Sequence, residues 1–445
     1  MPRTLYSLLW WLALPLVLAR LWWRGLKEPG YRRHWGERLG FYGAHVPGWH
    51  TIWVHAVSVG ETRAAEPLID ALLLAYPRSR IVLTHMTPTG RETGRALFGK
   101  HGERLIQSYL PYDTVFMVHR FIRQFTPRIC ILMETEVWPN LLAACGERIP
   151  VALVNARLSE RSLKRAHRFG KLMTDAARRL SLVAAQTEAD AERVRALGAS
   201  RVEVTGSIKF DVVVPPAALD TGAWLRARIG AGAGVGARAR PILLCASTRD
   251  GEEALILDAY AGMPAQSRPR LLIVPRHPQR FDEVAALVRA RGLPLRRRSG
   301  FGAQDAPAPG DMVVDDAVAG DAELGDVVLG DTMGEMFAYY AACDLAFVGG
   351  SLLPLGGQNL IEPCALGKPV LVGPHTFNFA LATEQAIAAG GALCVADAKE
   401  LLSQVERLLV DDAARAEMGR QAAAFAQRHR GATARTVGLL RRIIY

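Results

Sequence analysis

Cysteine is scarce in this chain, familiar cofactor motifs are missing, and acidic charge falls short of basic. Its six cysteines (Cys130, Cys145, Cys245, Cys343, Cys364, Cys394) are scattered, with no Cys-x-x-Cys pair. That argues against a zinc ribbon and a disulfide framework, and in apolar surroundings they read as small buried hydrophobes of a reducing compartment. No His, Cys, Asp and Glu group has metal-ligand spacing, so neither a metal nor a cofactor is expected. A Gly-x-Ser-x-Gly elbow, a Walker loop and a dinucleotide fingerprint are all missing, which counts against a serine hydrolase and a Rossmann dehydrogenase. Acidic residues number 43 against 54 Lys and Arg, a formal charge of +11 over 445 residues. No helix-turn-helix, finger or base-stacking motif accompanies that excess, so nucleic acid is not an expected partner. An anionic membrane surface fits better, and the N-terminus says why.

Charge is absent altogether from Thr4 to Ala19, a Leu- and Trp-rich run of about 16 residues that Arg20 interrupts before Leu21-Trp-Trp23. Residues 4–23 therefore read as a membrane anchor, either spanning at the short edge of what crosses a bilayer, with Arg20 snorkelling, or lying in one leaflet; a core helix is the rival reading. Trp10, Trp11, Trp22 and Trp23 suit an interface, and Arg24, Lys27, Arg32, Arg33 and Arg38 after the run keep the remainder on the cytoplasmic side of the membrane. A cleaved signal peptide fits poorly, because Trp22-Trp23-Arg24 offers no small-residue cleavage site.

After the anchor, short Val/Ile/Leu/Ala runs of the doubly buried, parallel-sheet kind alternate with helical stretches. Strands are expected at 51–57, 80–84, 128–132, 150–154, 180–184 and 201–205, then at 241–246, 270–274, 326–329, 344–348, 369–372 and 392–395. Helices are expected at 62–76, 114–125, 163–178 and 188–197, and from Asp412 to the end with a break near Gly431. The rhythm fails over 212–240, where Pro215-Pro216 and a Gly/Ala-rich stretch read as a linker. The segment 300–325 reads as an excursion inside the second half. The expected architecture is α/β: an N-terminal Rossmann-like domain at 40–211, a second at 241–425, and a C-terminal helix at 426–445 packing back on the first.

Chemistry is expected where strands run into helices. Met333-Gly-Glu-Met336 and Gly356-Gly-Gln-Asn-Leu-Ile-Glu-Pro363 each follow an apolar run and open a helix, an arrangement that presents backbone N–H groups to a phosphate. Asn359 and Glu362, three apart, share a helix face, and Glu362 would suit ribose hydroxyls. Arg276, in the Pro275-Arg-His-Pro278 turn, is placed for a base or a phosphate, and His375 and Asn378 for the same crevice. In His55-Ala-Val-Ser-Val-Gly-Glu61-Thr62, Gly60 allows a sharp turn and Glu61 stands at the C-terminal sheet edge. There it is either a general base or a first-turn complement to the helix dipole. Glu134 and Glu136 follow another strand, where they are placed to contact an acceptor sugar, or Glu136 to open the next helix; Arg157 and Lys209 end two more strands, suited to an anionic group or to ordinary salt bridges. Ala246-Ser-Thr-Arg-Asp-Gly-Glu252 reads as a helix start with hydroxyl caps.

In this order the motifs resemble the 3-deoxy-D-manno-octulosonic acid (Kdo) transferases of Gram-negative lipopolysaccharide synthesis. The resemblance is carried by the anchor, His55–Thr62, Glu134–Asn140, Asn155–Arg161, Thr205–Asp211, Pro275–Pro278, Met333–Glu335 and Gly356–Pro363. It implies a GT-B glycosyltransferase of two Rossmann-like domains that takes Kdo from CMP-Kdo to the lipid A precursor. By the same resemblance Glu61 matches the catalytic base. The CMP contacts match Pro275, Arg276, Met333, Gly334, Glu335, Asn359, Leu360, Ile361 and Glu362. A nucleotide-sugar epimerase of related fold would need no anchor, and a non-catalytic tethered scaffold would not need the Glu61 carboxylate.

Overall fold

Runs of Val, Ile, Leu and Ala that bury both faces build two parallel sheets in the computed structural model, which describes residues 1–43, 50–230, 240–301 and 325–444. The chain divides into two compact units, Met1–Asp211 with His429–Tyr445 and Val212–Arg428. The first unit holds β1 (His50–His55), β2 (Ser79–His85), β3 (Leu105–Tyr109), β4 (Pro127–Met133), β5 (Val151–Ala156), β6 (Leu182–Ala185) and β7 (Val202–Val204). Their order is β3-β2-β1-β4-β5-β6-β7. The second unit holds β8 (Ile242–Thr248), β9 (Arg270–Pro275), β10 (Leu295–Arg297), β11 (Val327–Leu329), β12 (Leu345–Val348), β13 (Val370–Val372) and β14 (Ala392–Cys394), in the order β10-β11-β9-β8-β12-β13-β14. Every pairing among the described residues is parallel, so all strands of a sheet end on one edge.

Side-chain alternation decides which layer each residue joins. In β1, Ile52 and Val54 face a core with Leu68, Ile69 and Leu72, whereas Trp53 faces the opposite layer with Phe121 and Leu132. Trp53 packs with its ring tilted 39° against Phe121, centroids 4.4 Å apart, and donates its indole N–H to Thr84 Oγ1 at 2.9 Å, so its one polar atom is satisfied at full burial. The second unit repeats the scheme, with Leu243, Ile273, Phe347 and Leu371 in one layer and Leu244, Leu272, Val328 and Ala346 in the other.

All twelve expected strands are present, with ends shifted by one or two residues. Two edge strands, β3 and β10, were not expected, because Leu-Ile-Gln-Ser-Tyr and Leu-Arg-Arg lack a doubly apolar run. The linker reading over 212–240 needs correction. Pro216 opens a helix, Pro216–Gly230, whose Leu225 and Ile229 are fully buried against Ala338 and Tyr339. A proline pair marks a helix start as readily as a linker, because Pro is tolerated in the first turn. Residues 231–239 and most of the expected 300–325 excursion lie outside the described residues. The helical stretch at 163–178 is two helices, Glu160–Arg168 and Lys171–Arg178, parted at Gly170 with φ 50°.

The last helix, Ala432–Leu440, follows Gly431 at φ 92° and belongs to the first unit. Asp211 accepts the Gly431 and Thr433 N–H groups at its start, and Arg435 donates to the Thr205 carbonyl at 2.9 Å. Its Val437 and Leu440 join Leu68, Ile69 and Leu72 in one core. Leu440→Ala should therefore destabilise the first unit by about 2–5 kcal/mol, read as a lower urea midpoint; an unchanged midpoint would mean that the helix adds nothing to that core.

Candidate active site

Each sheet reverses its strand order once, between β1 and β4 in the first unit and between β8 and β12 in the second. Beyond the C-terminal ends of strands at such a reversal, the following loops part and leave a crevice. In the first unit β1 leads to Glu61 and β4 to Glu134 and Glu136, so these three carboxylates stand at the reversal.

Glu61 occupies the first turn of helix Val59–Ala64. Ser58 caps that helix, and the Glu61 carboxylate turns back to accept the Val57 N–H at 2.8 Å and the Ser58 hydroxyl at 3.2 Å. This Ser-x-x-Glu exchange is close to a capping box, so Glu61 does serve the helix start. Two donors do not offset its burial. Desolvation first, then the charges of Glu134 and Glu136, push its carboxyl up to about 7, against the pull of Val57 and Ser58. The side chain is half-buried and remains reachable. Gly60 is not used as expected: it lies within the helix without positive φ, and a Cβ there would meet nothing nearer than Ser58 Oγ at 3.9 Å.

Glu134 holds a left-handed conformation at φ 59° and pairs with Lys209 Nζ at 2.9 Å. Asn155, also left-handed, reaches Glu134 at 3.5 Å and accepts the Ile208 N–H at 3.1 Å, which ties the ends of β4 and β5 to the Lys209 turn. Glu136 is raised by burial and by Glu134. Arg157 joins the group through its backbone N–H, donated to the Glu134 carbonyl at 3.3 Å, while its side chain is exposed.

In the second unit, β11, β9, β8 and β12 are neighbours, so the loops carrying Met333–Glu335, Pro275–Arg276, Ser247–Glu252 and Gly349–Glu362 share one sheet edge. Pro275 ends β9 in the core, and the Arg276 N–H donates to Thr248 at 2.9 Å. Gly334 turns at φ 87° with open space where a Cβ would stand, and Met333 is exposed. Glu335 is held by Arg298 at 2.7 Å, by Tyr339 at 3.1 Å and by Thr332. Asn359 accepts the Ile361 N–H at 3.0 Å and donates to Glu362 at 3.0 Å, fixing that carboxylate at the start of helix Ile361–Ala365. The side chains of Leu360 and Ile361 are buried, so these two candidate contacts are restricted to their backbone. His375 and Asn378 meet the same loop: the His375 N–H donates to Ser351, and Asn378 donates to Gly357 at 3.4 Å.

The residue that sequence reasoning missed is Glu252. Gly251, at φ 89°, stands at the cap position assigned to hydroxyls, and the fully buried Glu252 carboxylate reaches across to the loop after β12. It accepts the N–H groups of Arg249 (2.9 Å), Gly350 (2.5 Å), Ser351 (2.9 Å) and Leu352 (2.9 Å). A first-turn acid was the signal, and helix-dipole complementation was enough to explain it. Glu252→Gln keeps the shape but sets an amide NH₂ against N–H donors. We expect a lower urea midpoint; an unchanged midpoint would show that the loop holds its shape unaided.

Residues 33–212 match the family described as 3-deoxy-D-manno-octulosonic-acid transferase (kdotransferase). The 3-deoxy-D-manno-octulosonic acid transferase of Bordetella pertussis is 44% identical, with 99% of each chain covered. That of Haemophilus influenzae is 38% identical over 99% of this chain and 98% of its own. Among solved structures, Anabaena HepE in complex with UDP superposes with a TM-score of 0.54 at 15% identity, covering 88% of this chain and 99% of that one, and this likeness shows the GT-B fold alone. With two relatives alike from end to end, the chain belongs to the Kdo transferases, a family of glycosyltransferases.

Proposed function

We propose that this transferase moves Kdo from CMP-Kdo to the lipid A precursor, lipid IVA, at the cytoplasmic face of the inner membrane, inverting the anomeric centre without a metal, with Glu61 as general base. The observation that carries the reading is the Glu61 carboxyl: half-buried at the strand-order reversal, pushed up to about 7, and flanked by two more carboxylates. A base whose pKa lies near the working pH takes a proton effectively while remaining ionised in a large fraction of molecules. Glu61 would accept the proton of the acceptor's primary hydroxyl as that oxygen forms a bond to the anomeric carbon of Kdo. The bond from that carbon to the CMP phosphate oxygen breaks on the opposite face, and its electron pair leaves with CMP. One displacement inverts the centre, and no covalent enzyme intermediate is needed.

On the donor side, Arg276 and the N–H groups around Gly334 would bear the charge developing on the phosphate, with Glu362, clamped by Asn359, on the ribose. Pro275, Met333, Glu335 and the backbone of Leu360 and Ile361 would complete the CMP contacts. On the acceptor side, Lys209 is engaged with Glu134, which leaves Arg157 the better placed of the two for an acceptor phosphate. Glu134 and Glu136 would act mainly by keeping Glu61 basic.

Glu61→Gln should lower kcat by about 10²–10⁴-fold with CMP affinity unchanged, and near-native turnover would remove Glu61 from the mechanism. In the native enzyme kcat/KM should climb about tenfold per pH unit up to an inflection near 7 and then level; a flat profile between about pH 5 and 8 would assign the proton elsewhere. The sign for stability is opposite. A carboxyl raised from its ordinary 4.5 to about 7 penalises the fold increasingly above pH 4.5 and in full above 7. Glu61→Gln should thus raise the urea midpoint at about pH 8 and leave it unchanged at about pH 4.

A further inference from the structure

The helix Arg3–Lys27 does not stand free of the first unit. Tyr6, Ser7, Trp10, Leu14, Val17, Leu18, Leu21 and Gly25 recur at three- and four-residue spacing, one stripe of a helix, and that stripe is docked. The Tyr6 hydroxyl donates to Asp113 at 2.9 Å, the Ser7 hydroxyl to Asn140 at 3.1 Å, and Trp10 lies 5.8 Å from Tyr112. Leu14, Val17, Leu18 and Leu21 pack with Tyr31, Tyr112 and Met117, and a Cβ on Gly25 would sit 2.3 Å from Arg32. The receiving surface is rigid, since Asp113 also accepts the Asn140 and Leu141 N–H groups at 3.0 and 2.8 Å. From Tyr6 to Gly25 the docked stripe is roughly 28 Å long, nearly the thickness of a bilayer's hydrocarbon core.

The opposite face carries Leu5, Leu8, Leu9, Leu12, Leu16 and Trp23, all exposed, with Leu16 at 74% and Trp23 at 71%. Charges stand only toward its ends, at Arg3 and at Arg20, Arg24 and Lys27. To cross a bilayer while docked, the helix would drag Asp113 and Asn140 into hydrocarbon. To cross undocked, it would give up the Tyr6 and Ser7 hydrogen bonds in lipid and uncover Tyr31, Tyr112 and Met117 in water. An in-plane helix needs its other face turned from the lipid, and here the first unit takes that face. We infer that helix Arg3–Lys27 lies along the membrane plane, its outer face sunk into one leaflet of anionic phospholipid, and does not span it. The inference rests on the membrane location proposed above and decides how the chain is held there.

The test uses the full chain added to preformed phosphatidylethanolamine–phosphatidylglycerol vesicles, with Cys394, the exposed cysteine, replaced by Ser. Thr4→Cys should react with a membrane-impermeant maleimide as fast as Glu147→Cys, an exposed position of the same unit. Spin labels on Leu5→Cys, Leu12→Cys and Leu16→Cys should report one common depth. Protection of residue 4 until detergent is added, with labels 5 and 16 separated by roughly 16 Å along the bilayer normal, would overturn the in-plane helix and leave the membrane reading intact. Failure of the chain to float with the vesicles would overturn the membrane reading itself.

Discussion

A carboxylate taken out of water at the C-terminal edge of a parallel sheet must either find donors or hold its proton more tightly, and both candidate sites depend on how many donors it finds. Glu252 finds four backbone N–H groups and becomes the fastening of the loop after β12. Glu61 finds one N–H and one hydroxyl, has two carboxylates for neighbours, and rises to about 7. The residues are chemically identical and stand in corresponding places, each in the first turn of the helix after the first strand of its unit. Donor count separates an inert anchor from a candidate base. Fully satisfying Glu61 with two more N–H groups would strengthen the fold and remove the property that makes it useful.

The strands were legible because parallel sheets bury both faces, and a run such as Ile-Cys-Ile-Leu at 129–132 has few other uses. Two of the four edge strands escape that signal: β3 keeps Gln107 and Ser108, and two of the three residues of β10 are arginine. Helix 216–230 was misread because its proline pair and its Gly/Ala neighbour outweighed buried residues four apart, Leu225 and Ile229. Glu61 was legible as a first-turn acid at a strand end, but its neighbours were not, because Glu134 and Glu136 lie far away in sequence and come near only when β1 pairs with β4. Glu252 was hidden for the same reason. Its partners at 350–352 are about a hundred residues downstream and are backbone atoms, which leave no mark in the sequence. In Thr4–Ala19 the polar pair Tyr6 and Ser7 marked the docked stripe, yet the Leu and Trp around it read as apolar on all sides.

The β ends add a second constraint. Glu134, Asn155 and Ser247 are non-glycine residues at φ 53–59°, each at the C-terminal end of a strand. Such conformations cost about 1 kcal/mol or more per residue, and they persist where surrounding bonds over-determine them. Asn155 is held at three points: it accepts the Ile208 N–H, reaches Glu134, and receives the Gln186 amide on its carbonyl at 2.9 Å. Pairing slips by one residue at Asn155 and again at Ser247, so the chain leaves each sheet through a left-handed residue at a register shift. At Ser247 the chain turns back toward Gly349, where a Cβ would come within 2.6 Å of Thr248; only glycine lets the two strand ends approach so closely. That approach brings the helix after β8 within reach of the loop after β12 and so lets Glu252 bridge them. Strain at Ser247, the missing side chain at 349 and the four-donor carboxylate are parts of one joint, and relaxing any of them would loosen the loop that leads to Asn359 and Glu362.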